Sequence, residues 1–280
     1  MSCYELLLED QIWQARHEQV LKVLAGVAAH QPVPLLRRQI VYRPDREPEE
    51  ALSHLKRGGS QAVDLKTVTK TAQQKQQQQA RARDLYCTRL HQELDKDDLD
   101  PARRRHHHNG NHNNTLSADD GTRWSWVFEE VPIAGGRDGL TVRKASSTDF
   151  VAGDPHAYLI DNGYKFVTEY YVSGHRFMHG NIELTLYRIL HEPDVRLSQT
   201  APKIVLPSLD DLKLVDPSGA YLVEAKLRVE DINIEPLARQ CCQEMNEFRE
   251  MMKGCVNFEA PDRLELDYRL KPADTQRVAR

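Results

Sequence analysis

Neither sign of charge dominates this chain of 280 residues: 38 lysines and arginines face 42 aspartates and glutamates, for a net charge of −4. With no strong positive field, general binding to a nucleic-acid backbone is not the leading reading. Cysteines are few and odd in number: Cys3, Cys87, Cys241, Cys242 and Cys255. None is spaced C-x-x-C, and the adjacent pair cannot act as a zinc knuckle. Such usage fits a reducing compartment better than a disulfide-built scaffold. No apolar run approaches the ~20 residues of a membrane-spanning helix. Residues 1–10 carry Glu5, Glu9 and Asp10 where a secretory leader has basic residues, so the chain is expected to be soluble and not secreted. A nucleophile elbow, a phosphate-cradling glycine loop and a nucleotide fingerprint are all missing.

Composition shifts sharply after Tyr42. Residues 44–121 hold a glutamine run (Gln73, Gln74, Gln76 to Gln79), the basic tract Arg103 to His108 and an asparagine-rich tail. So little apolar surface cannot offset the cost of ordering a backbone, and the segment reads as a low-complexity, largely disordered insertion. Residues 1–43 and 122–280 then form a single domain of substantial core.

Within that domain, residues 4–12 read as a strand, and residues 15–29 as a helix with Val20, Leu24, Val27 and Ala28 on one stripe. Residues 35–42 return as a strand. Trp124, Trp126 and Phe128 share one side of a strand over 122–131, which pairs across the Gly135-Gly136 turn with 140–145. The longest pattern, 164–178, is interrupted at Gly174 and turns at Gly180-Asn181 into 182–190. In residues 220–229, Val223, Ala225, Leu227 and Val229 alternate with Glu224, Lys226, Arg228 and Glu230. The period then changes to 3.6 in 234–252, where Leu237, Cys241, Met245, Phe248 and Met252 align, Pro236 fits a first turn and Gly254 ends the helix. A last strand is expected at 263–270. Many long strands with two covering helices predict an α+β chain of mainly antiparallel β-structure: a barrel-like curled sheet with two flanking helices, since open edges of that length would aggregate. An open α+β sheet is the alternative.

Alternating Glu224, Lys226, Arg228 and Glu230 is the constellation that most resembles a site, because tunnel-shaped triphosphatases hold a metal and a triphosphate in a charged barrel. Such an enzyme needs several carboxylate pairs spaced by one residue on strands. Only Glu265 and Asp267 meet that condition, since Glu47 and Glu49 fall in the insertion. A solvated outer face is therefore the favoured reading, with a triphosphate-tunnel phosphohydrolase as the alternative function and an RNA- or lipid-binding barrel third. His106, His107, His108 and His112 lack a supporting shell for a metal, and His175 reads as a packed histidine. No catalytic, cofactor or metal residue is expected. Of the hairpin aromatics Tyr164, Phe166, Tyr170, Tyr171, Phe177 and Tyr187, most are expected in the core; Tyr170 and Tyr171 point oppositely, and Phe166 and Tyr170 share a face.

The order of these motifs resembles the Mediator subunit eighteen family. It is carried by Y-E-L-L-L at residues 4–8, Leu24-Ala25-Gly26, the strand 36–42, Gly163-Tyr164-Lys165-Phe166, Gly174-His175-Arg176-Phe177, Gly180, Tyr187-Arg188-Ile189-Leu190 and Y-L-V-E-A-K-L-R-V at 221–229. The resemblance leaves out the insertion. It implies a non-catalytic head-module scaffold in the nucleus, linking regulators to the RNA polymerase II initiation machinery. It further implies pairing with the similar barrel of subunit twenty and docking of a C-terminal segment of subunit eight, with no cofactor and no sequence-specific nucleic-acid contact.

Overall fold

Strand β1 (Ser2–Ile12) begins the fold with three consecutive leucines, Leu6, Leu7 and Leu8, that are all buried. A strand can bury both faces only if each is covered, and here the sheet closes on itself beneath two helices. The computed structural model describes residues 2–46, 85–100, 116–118, 122–193 and 199–270. After β1 come α1 (His17–Ala28), β2 (Val33–Pro44), β3 (Thr88–Glu93), β4 (Trp124–Glu129), β5 (Thr141–Phe150) and α2 (Pro155–Asp161). The long hairpin β6 (Tyr164–His179) and β7 (Ile182–His191) follows, then the short β8 (Lys213–Leu214), β9 (Tyr221–Val229) and α3 (Glu235–Met252).

The strands run in the order β6-β2-β3-β4-β5-β1-β9-β7, and β7 pairs back onto β6 to close eight strands into a barrel; β8 is an appendage on β7. Every pairing is antiparallel. The main core lies outside the barrel wall, under α1 and α3. Leu6 and Leu8 of β1, Leu184 and Leu186 of β7, and Val223, Ala225 and Leu227 of β9 meet Val20 and Leu24 of α1 and Met245, Phe248 and Met252 of α3 there. Each of the leucine, valine, methionine and phenylalanine side chains among them, fully buried, contributes about 1.5–3 kcal/mol. A second cluster, with Ile40, Tyr42, Leu90, Trp124 and Leu159, sits under α2.

The barrel and the helices α1 and α3 lie where the periodicity places them. A third, short helix joins the two expected: in α2, Pro155 occupies the first turn and the Asp154 carboxylate accepts from the amides of His156 and Ala157 at 2.8 and 3.1 Å, a complete N-terminal cap. The insertion needs a correction, because residues 44–121 include β3, a full member of the wall between β2 and β4, and the buried Leu99, Leu116 and Ala118. Six residues alternating Thr88, Leu90 and Gln92 with Arg89, His91 and Glu93 are too short and too polar to stand out beside low-complexity neighbours. The strand expected at 263–270 is also corrected. That stretch forms turns and a single bridge, Tyr86 to Arg269, since a closed barrel leaves it no edge to join.

Candidate functional site

The charged alternation of β9 is not a solvated outer face. Because α1 and α3 cover the Val223, Ala225, Leu227 side, strand alternation turns Glu224, Lys226 and Arg228 into the barrel lumen. Register fixes their neighbours: Glu5 pairs with Arg228, Leu7 with Lys226 and Glu9 with Glu224 on one side, and Glu183 with Lys226 on the other. Glu230 lies beyond the strand and is exposed.

Inside, the charges engage one another. The Glu5 carboxylate accepts from Arg143 Nε at 2.9 Å and from Arg228 Nε at 3.1 Å, with Lys226 Nζ at 3.9 Å. Arg143 also donates to Glu129 at 2.6 Å, and Arg89 donates to the other Glu129 oxygen. Lys226 pairs with Glu224 at 2.8 Å, and Arg228 reaches Glu183 at 3.0 Å from the rim. Burial alone would push the Glu5 carboxyl up, but Lys226, Arg143 and Arg228 together outweigh it and hold it at about 2. The same balance lowers Glu224 and raises Lys226, whose first opposing influence is likewise burial. His91, in the wall of the lumen, is kept neutral by burial and then by Arg37, Arg89 and Lys226.

This arrangement leaves little for a substrate. A triphosphate needs cations free to receive it, and here Arg89, Arg143, Lys226 and Arg228 each hold a carboxylate already. The carboxylate pair Glu265 and Asp267 does not line the lumen from a strand: it lies in the turns after α3, with Asp267 bound to Arg269 at 2.7 Å. His106, His107, His108 and His112 fall outside the described residues. His175 sits on β6 in a partly buried position.

The hairpin aromatics divide between the two faces. Tyr170 points into the lumen, donating to Gln39 Oε1 at 2.7 Å, whereas Tyr171 is buried in an outer cluster with Leu36, Leu99 and Leu190. Phe166 and Tyr170 do not share a face. The β2–β6 register shifts so that Val41 pairs with Thr168 and Tyr42 with Phe166, leaving Val167 as an extra residue. That bulge turns Phe166 outward, where its ring meets Tyr42 edge-on at 6.3 Å. Outside the barrel, the buried Arg38 donates to Glu169 Oε2 at 2.8 Å and to the Lys203 carbonyl at 2.6 Å, and Gln199 donates to Glu169 Oε1 at 2.6 Å, pinning the 199–206 segment to the wall.

A family model described as the Med18 protein matches residues 4–269, a span that begins in β1 and passes beyond α3. The chain belongs to this Mediator subunit 18 family. It is 30% identical over 281 residues to a Mediator of RNA polymerase II transcription subunit 18 from Neosartorya fischeri, covering 96% of this chain and 100% of that one. The Aspergillus fumigatus subunit 18 is 29% identical over the same shares. A chain in the structure of the Schizosaccharomyces pombe Mediator head module has the same fold, with a TM-score of 0.60 and 14% identity over 92% of this chain and 98% of that one. Sequence reasoning singles out the charged face of β9 that turns into the Mediator subunit 18 lumen, but reads it as a solvated outer face. It misses Glu5, Arg89, Glu129 and Arg143, whose signal is slight: Glu5 is the one charge between Tyr4 and the three leucines.

Proposed function

We propose that this chain is a non-catalytic subunit of the Mediator coactivator, seated in the head module in the nucleus, and that it links regulators to the RNA polymerase II initiation machinery. The family match from residue 4 to residue 269 carries the reading. The lumen supports it, because a barrel whose interior cations are bound by its own carboxylates is a rigid body for presenting surfaces. The partners are other head subunits. At finer grain they are subunit twenty, through barrel pairing, and the C-terminal segment of subunit eight. Co-expression of the full chain with subunit twenty and that segment tests this reading: a single complex in gel filtration is expected, and migration of the three chains as separate species would contradict the pairing. Release of phosphate from nucleoside triphosphates with magnesium or manganese, above a Glu224→Ala, Lys226→Ala control, would contradict the non-catalytic reading.

A further inference from the structure

The lumen's cations hold carboxylates, but three basic side chains on the outer wall do not. His17 opens α1, His175 lies on β6 and Arg188 on β7, and they meet around Tyr221 at the start of β9. The His17 ring stacks on Tyr221 at 4.0 Å and lies 5.9 Å from His175, while the Arg188 guanidinium carbon is 4.5 Å from the Tyr221 ring centre. His17 Nε2, His175 Nδ1 and Arg188 Nε are buried and have no hydrogen-bond partner among the described residues. Arg188 Nε is a donor in every state and each imidazole nitrogen becomes one on protonation, so an acceptor brought against this cluster would satisfy groups that the described residues leave unpaired. Beside them, Arg188 lines a cavity of about 70 Å³ with Ile189, Leu214, Val215, Asp216, Ala220 and Leu222.

We propose that His17, His175 and Arg188 form a receptor for a single carboxylate group from an acidic protein segment. The cluster is matched to a monoanion. It has one permanent cation, whose planar fork fits a carboxylate, and two groups that become cations only on protonation. A nucleic acid is disfavoured by the chain's net charge of −4. The surrounding charges are consistent with this. Lys96 adds positive potential at His175, Glu18 opposes it weakly at His17, and the Asp216 carboxylate is already engaged by the Ser218 amide and hydroxyl at 2.9 and 2.6 Å. With the receptor empty, burial first and then the neighbouring His175 and Arg188 keep His17 neutral, and burial and Lys96 do the same for His175. A bound carboxylate reverses the balance. By reciprocity, whatever raises the histidines' proton affinity binds more tightly as pH falls.

Titration of the full chain with an oligoglutamate peptide, following the ring nitrogens of His17 and His175 by NMR, tests this. Both histidine midpoints should rise, and affinity near pH 6 should exceed that near pH 8 by about tenfold or more. Arg188→Gln should weaken binding at least about tenfold with an unchanged melting curve. Where that variant melts lower, His17→Phe decides the matter, since it keeps a ring against Tyr221 and should remove much of the pH dependence. Unmoved midpoints, or wild-type affinity and pH dependence in both variants, would overturn the proposal. Midpoints that respond to inorganic phosphate but not to the peptide would assign the cluster to phosphate and overturn it equally.

Discussion

Glu5 accepts from Arg143 and Arg228 and lies against Lys226, with almost none of its surface exposed. Its removal leaves those cations without their shared counter-charge in a buried lumen, and breaking a buried pair from one side costs about 3–5 kcal/mol. Glu5→Gln is therefore expected to lower the unfolding free energy by that amount in a urea titration, and a change under about 1 kcal/mol would show that the lumen is well solvated. The pH dependence follows from the same residue. Its folded pKa of about 2 lies below the unfolded carboxylate value, so its contribution is complete above about pH 4.3 and is lost as pH falls toward 2. The shift corresponds to about 3 kcal/mol. Stability measured across that acid window should fall more steeply for the wild type than for Glu5→Gln, and parallel curves would contradict the assignment. None of this pairing was legible in the sequence. Alternation on β9 shows that its two faces differ, but which one is inside depends on where α1 and α3 pack, and Glu5 is 219 positions before Glu224.

The β6–β7 hairpin shows what local pattern can and cannot specify at the scale of an element. The Gly180-Asn181 turn and both strands were readable from alternation and turn residues. The bulge at Val167 was not, because an extra residue in one strand is defined only by the partner it fails to face, here β2. Gly174, where the pattern is interrupted, marks a close approach of the two strands and no bulge. A Cβ built there would meet the Leu186 carbonyl oxygen at 2.1 Å and Tyr187 Cα at 2.6 Å, contacts with backbone that cannot swing away. Gly174→Ala should thus force β6 and β7 apart and destabilise the chain by about 1–3 kcal/mol or more. A melting temperature equal to the wild type would show that the two strands are not so close.

For the whole molecule, closure is the organising fact. The eight-strand wall has β3 between β2 and β4, so excising residues 47–120 would remove a stave and open the barrel. Residues 47–84 lie outside the described residues and hold the glutamine run, a composition that a flexible linker can stand in for, and loop closure depends weakly on length. The long excision is expected to abolish cooperative unfolding and the short one to preserve it; cooperative melting of the long excision would mean that β3 is dispensable. Barrel class and family were legible because the strands that carry them, β1, β6, β7 and β9, are long and strongly patterned. The boundary of the insertion was not, because β3 shows the lumen Arg89, His91 and Glu93, which resemble the polar residues around them. Closure of this kind suits a non-catalytic member of a Mediator head assembly. Purification of the tagged full chain from nuclear extract, with the co-purifying chains quantified by mass spectrometry, tests that membership most directly. Recovery of other Mediator head subunits in near-equal amounts is the predicted result, and recovery of the chain without any Mediator subunit would contradict it.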